Sequence, residues 1–162
     1  LSENVPVGVA DLKVANNSSV LASYGLGSCV AVGMYDQLRK VGGLAHVMLP
    51  DSRGRDTEAV PGKFADSAIV TLIKQMKELG ARQIGIRCKI AGGSQMFDLG
   101  KNQSAAGNIG ARNVEAVKAA LAEAGIQLVA EDTGGNYGRT VKFETATGKM
   151  EISSISHGSK TI

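Results

Sequence analysis

The order of apolar and polar residues divides the chain into two kinds of segment. Up to about Pro50, short alternating runs rich in Val and Gly, at 7–14, 20–23, 29–35 and 41–49, have the period-two pattern of β-strands. From Gly62 the period changes. Phe64, Ala68, Ile69, Leu72, Ile73, Met76 and Leu79 recur every three or four residues, and Gly80 follows as a stop, which predicts an amphipathic helix over 62–79. A strand is expected at 84–91, then a second helix over 113–124 with Val114, Val117 and Leu121 on one face and Gly125 behind it. Strands are expected again at 127–131, 140–144 and 150–155. The polar, aperiodic stretch 53–61 reads as a loop, and the tail 156–162 as a frayed end. Because the early strands are joined by short loops and not by helices, the sheet should be mixed or largely antiparallel. The expected fold is α/β: a single layered sandwich domain over 1–162 with two main helices.

Composition narrows what such a domain can do. With 162 residues, 43% hydrophobic, the chain can bury a real core; aromatics at 4% and no Trp make that core aliphatic. The net charge of +3 is small and its Lys and Arg are scattered, which removes the footprint of a nucleic-acid binder. No apolar stretch approaches the ~20 residues of a membrane span, and no basic start precedes an apolar run, so no membrane insertion and a cytoplasmic location are expected. The chain begins with Leu1 and not Met, which leaves its natural start open. Its two cysteines and two histidines form no CxxC or HExxH arrangement, so reduced thiols, no metal and no cofactor are expected.

Candidate chemistry concentrates in GLGSCVAV at 25–32, where a thiol, Cys29, follows two glycines at a loop-to-strand junction. Glycines let the backbone approach a ligand, and the amides around Gly27, Ser28 and Cys29 could point at a developing oxyanion. A hairpin turning around Gln37 and Leu38 would put Cys29 directly opposite His46, with Cβ atoms about 4.5–5.5 Å apart. The imidazole would then serve as acid–base partner to a thiol that, with a pKa near ~8.5, is only slightly ionised at neutral pH. The plain alternative is a small buried cysteine and a structural histidine. Cys88, with no histidine near it in sequence, takes that plain reading. A dinucleotide fingerprint fails because Val30 stands in place of the third glycine and no helix follows.

These residues resemble a known family, the CheD-type chemoreceptor glutamine deamidases. The likeness runs through GLGSCVAV, LAHVMLP at 44–50, KFADSA at 63–68, KIAGGSQMF at 89–97, IGARNV at 109–114 and DTGGNYGR at 132–139. It implies a layered α/β fold and a Cys–His–Thr constellation that maps to Cys29, His46 and, six residues before the cysteine, Ser23. Serine keeps the hydroxyl and loses the methyl that restricts its rotamer. The implied reaction is conversion of receptor glutamines to glutamate through a thioester, on the cytoplasmic domain of a chemotaxis receptor. Hydrolysis of glutamate methyl esters and binding of a CheC-type phosphatase are further implications. Another thiol acyl-transfer hydrolase and a non-catalytic chemotaxis adaptor are the competing readings.

Overall fold

A computed structural model describes residues 4–96 and 108–162; Leu1 and Phe97, named above, lie outside them. The described strands form two five-stranded sheets. The first runs in the order β1 (Asn4–Pro6), β3 (Val20–Leu26), β8 (Arg139–Glu144), β9 (Met150–Ser154), β10 (Gly158–Thr161). The second runs β2 (Leu12–Ala15), β5 (Val41–Val47), β4 (Val30–Asp36), β6 (Ile86–Gly92), β7 (Gln127–Thr133). Two pairs, β1 with β3 and β6 with β7, are parallel and the rest antiparallel, so the α/β fold with two helices and mixed, mostly antiparallel pairing is as expected, divided between two sheets.

The helices α1 (Ala65–Glu78) and α2 (Ile109–Ala124) cover one face of the second sheet, and the first sheet covers the other. The pleat sorts the side chains. On β4, Val30, Val32 and Met34 face the helices, while Ala31 and Tyr35 face the first sheet. Against Val30, Val32 and Met34, α1 buries Ala65, Ala68, Ile69, Leu72, Ile73 and Met76, the three-and-four spacing visible in the sequence; Gly80, at φ +106°, follows its end. Each of the larger aliphatic side chains contributes about 1.5–3 kcal/mol by leaving water.

Four expectations differ from what is found. The run 7–14 is not one strand: residues 7–11 carry the chain across from the first sheet to the second, with Ala10 at φ +68°. Helix α2 begins at Ile109 and not at Asn113, capped by Asn108, whose side chain accepts from Ala111 N at 3.1 Å. Gly110 disguised that first turn; it is there because a Cβ would lie 2.3 Å from Ser94 O and 2.6 Å from Gly93 O. The tail is not frayed, since β10 pairs with β9 and Ile162 exchanges backbone bonds with Met150. Its side chains add Lys160 to Asp132 at 2.9 Å and His157 stacked on Tyr137 with ring centroids 3.8 Å apart. Finally, the β4–β5 hairpin closes through residues 37–40 with Lys40 at φ +55°, and this sets His46 opposite Ala31 instead of Cys29.

Candidate active site

That register differs from the expected one by an even step, and an even step keeps every side chain on its face. Cys29 therefore shares a face with Ala31 and packs in the layer between the sheets, diagonally across from His46. Diagonal neighbours in such a ladder are about 7–8 Å apart at the backbone. The thiol is half-buried at the edge of this layer, whereas His46 is 2% exposed.

The crossing segment grips the histidine. His46 N donates to Asp11 O and Ala10 N to His46 O, both at 3.0 Å, and the ring's Nδ1 lies 3.1 Å from Val7 O. A carbonyl can only accept, so Nδ1 must carry the hydrogen, and Nε2, with no partner among the described residues, is left as the ring's acceptor. Ser23, fully buried on β3, donates its hydroxyl at 2.8 Å to the same Val7 oxygen. Serine and histidine thus meet on the two lone pairs of one carbonyl and not on each other. Burial pushes the imidazole below its ordinary pKa, the bond to Val7 acting in the opposite direction, and burial pushes the Cys29 thiol up. Burial thus favours the uncharged form of each group.

Around the thiol the backbone is fixed by its carbonyls. Gly27 O accepts from Ser94 N at 2.9 Å, Ser28 O from Asn113 Nδ2 at 2.9 Å, and Cys29 O from Gly93 N at 2.8 Å. Gly92 makes room for this contact: at φ +114°, a conformation open to glycine, it sits where a Cβ would be 2.3 Å from Cys29 O. Ser94 is steadied in turn by the buried Arg139, whose Nη1 reaches its hydroxyl at 2.8 Å while Nε pairs with Asp132 at 3.1 Å. The N–H groups of Ser28 and Cys29 have no acceptor among the described residues. Met96, 45% exposed, with its Cγ where a Cβ on Gly27 would lie 3.1 Å away, and Met48, 39% exposed just beyond β5, supply adaptable apolar surface close by.

Cys29, His46, Ser23, Gly27 and Ser28 all come to this end of the inter-sheet layer. Cys88 does not: it is fully buried on the helix side of β6, and burial drives its thiol far above the ordinary range. Sequence reasoning missed Val7, which acts through a backbone oxygen and leaves no trace in residue type. It also gave Asn113 no role, although an amide at a core position of α2, in step with Val117 and Leu121, was a visible anomaly.

Known proteins with similar sequences agree with the resemblance. A family model described as "CheD chemotactic sensory transduction" matches residues 48–154. A Clostridium botulinum protein named "Probable chemoreceptor glutamine deamidase CheD" is 46% identical over 160 residues, covering 99% of this chain and 98% of the relative. The Thermotoga maritima "Chemoreceptor glutamine deamidase CheD" is 48% identical over 152 residues, 94% of this chain and 92% of its own. With likeness of that extent from end to end, the chain belongs to the CheD family.

Proposed function

We propose that this chain is a cysteine amidohydrolase that converts specific glutamine side chains of a chemotaxis receptor's cytoplasmic domain to glutamate, releasing ammonia in the cytoplasm. One observation carries the proposal: a half-exposed thiol flanked by uncommitted amides shares a sheet face with a buried imidazole whose Nε2 is free to accept. The relatives' names supply the substrate class.

In this mechanism His46 Nε2 takes the proton of Cys29 as the sulfur attacks the carboxamide carbon. The carbonyl π pair moves to oxygen, and the N–H groups of Ser28 and Cys29 stabilise that oxyanion. Its collapse breaks the C–N bond, and the protonated imidazole gives its proton to the departing ammonia. Water then attacks the thioester, its proton passing to Nε2 and on to the leaving sulfur. The sum is amide plus water to carboxylate plus ammonium, with the enzyme unchanged. Val7 O holds the imidazole in the required tautomer, and Ser23 holds Val7 O. Because burial favours the neutral form of both groups, His46 serves as a general base to the attacking thiol.

The methionines flanking the thiol suit the surface of a receptor helix. A CheC-type phosphatase is the regulatory partner we propose, on the family resemblance alone; co-purification of the two chains tests it. The activity itself is tested by incubating the protein with a receptor cytoplasmic fragment and following ammonia together with peptide masses. Ammonia matched to amide-to-acid conversion at defined glutamines is expected. Peptide-bond cleavage would make the protein a protease instead, and signalling function that survives loss of the thiol would make it an adaptor.

A further inference from the structure

Asn113 lies on the buried stripe of α2, fully enclosed, where Val117 and Leu121 continue the same face. Its Nδ2 makes two bonds, to Ser28 O at 2.9 Å and to Met48 O at 3.1 Å. Its Oδ1 is buried with no partner among the described residues. A buried acceptor left unsatisfied is costly, and an aliphatic residue would fit the stripe without that cost. The amide cannot turn over to relieve it, because Oδ1 would then face two carbonyl oxygens. What the asparagine secures in return is the position of two carbonyls.

Each of those carbonyls bears on the proposed chemistry. In a trans peptide the C=O and the next N–H point in opposite directions. Holding Ser28 O inward, against α2, therefore turns the N–H of Cys29 outward, away from the helix. Met48 stands two residues beyond His46 on the chain, so the second bond fixes the end of the strand that carries the base. One side chain thus sets both the amide expected to meet the oxyanion and the spacing between nucleophile and base. Gly110, one turn earlier, lets α2 come close enough for this reach.

We infer that Asn113 is a positioning residue for the oxyanion-binding peptide between Ser28 and Cys29, which rests on the reading of Cys29 as the nucleophile of an amidohydrolase. It touches no substrate and acts through the backbone it holds. Misaiming a donor should cost somewhat less than deleting one, so Asn113→Ala is expected to lower kcat for deamidation about 10–100-fold while KM changes less than about threefold.

The test compares two reactions of the same thiol in the full chain. Iodoacetamide alkylates Cys29 by displacement at carbon and forms no oxyanion. A receptor peptide carrying an aldehyde in place of the glutamine amide adds the thiol to give a tetrahedral hemithioacetal. In Asn113→Ala, alkylation should proceed within about threefold of wild type, while affinity for the aldehyde falls in parallel with kcat. Equal loss of alkylation and deamidation would reduce Asn113 to a structural residue, and undiminished deamidation would remove its role altogether. If the alanine variant does not fold, Asn113→Ser, small enough to admit a water to the two carbonyls, takes its place with the same readouts, and the same two results would overturn the inference. Failure of the wild-type protein to release ammonia from receptor glutamines would overturn the underlying reading, whereas turnover by wild type with an undiminished variant overturns only the part assigned to Asn113.

Discussion

The two ends of the β4–β5 hairpin carry similar backbone groups and treat them in opposite ways. At the turn, the carboxylate of Asp36 is fully buried and accepts from Arg39 Nη1 at 3.0 Å, Arg39 N at 3.3 Å and Arg82 N at 3.0 Å. Burial alone would raise its pKa, but these hydrogen bonds together outweigh it and hold the carboxyl below its usual range. At the open end, carbonyls 27, 28 and 29 are all engaged, while the N–H groups of Ser28 and Cys29 find no acceptor among the described residues. A closed set of partners ties the hairpin to the segment before β6. An open set, next to a thiol and an imidazole, leaves donors for something that arrives later. The same sheet therefore offers a stability site and a candidate chemical site, distinguished by whether the polar groups are matched.

Substitutions at the two ends should separate these roles. The largest effect is expected from Cys29→Ala, which should abolish ammonia release without lowering the urea midpoint by more than a small amount. The other thiol, Cys88, is the control: Cys88→Ala should leave turnover of the folded protein intact, and an equal loss there would move the chemistry to the wrong side of the sheet. Next comes His46→Ala, expected to slow the reaction about 10²–10⁴-fold. Because burial lowers the His46 pKa, the acid limb of kcat/KM in the wild type should fall below the ordinary imidazole value of 6.5, with the rate level through neutrality. An acid midpoint above about 7, on the far side of an unperturbed imidazole, would show that burial does not lower the pKa of the base.

At the opposite end Asp36→Ala should destabilise by about 2–3 kcal/mol, measured by urea unfolding, because buried donors lose their acceptor. Turnover per folded molecule should be unchanged. The sign of the pH dependence follows from the lowered carboxyl: its contribution is complete above the ordinary carboxylate pKa of 3.8 and is lost as pH falls through the folded-state value. Wild type and variant should therefore converge in stability in acid. A drop in turnover matching the drop at Cys29 would erase the distinction between the two ends.

The smallest effect is expected at Ser23. Its hydroxyl reaches the imidazole only through Val7 O, so Ser23→Ala should reduce the rate about 3–10-fold, the worth of one neutral hydrogen bond. Ser23→Thr should restore wild-type rates, since the added methyl restricts χ1. A loss as large as that of His46→Ala would mean that the hydroxyl does more than hold a carbonyl.

Much of this was legible in the residues because burial imposes a period. The spacing from Phe64 to Leu79 could be little else than a helix, and the alternation in 29–35 and 41–49 fixed which side chains share a face. The hairpin register was less legible, since nothing in Gln37, Leu38 and Arg39 announces a four-residue loop. The even error spared the placement of Cys29 and His46 on one side. Helix α2 lost its first turn to the bias against Gly110, whose cause, the carbonyls of Gly93 and Ser94, is a contact distant in sequence. The strand β10 is exposed throughout and so has no apolar alternation to detect. Val7 was invisible for a different reason, because any residue offers the same oxygen.

That oxygen belongs to the segment leaving the first sheet, while the ring it holds stands on the second. The imidazole is accordingly a gauge of how the two sheets sit against each other. If they slide apart by even the length of one bond, Nδ1 loses its acceptor and the ring is free to exchange tautomers. The nitrogen-15 shifts of His46 would then report the slip directly, in the resting protein and with no substrate present.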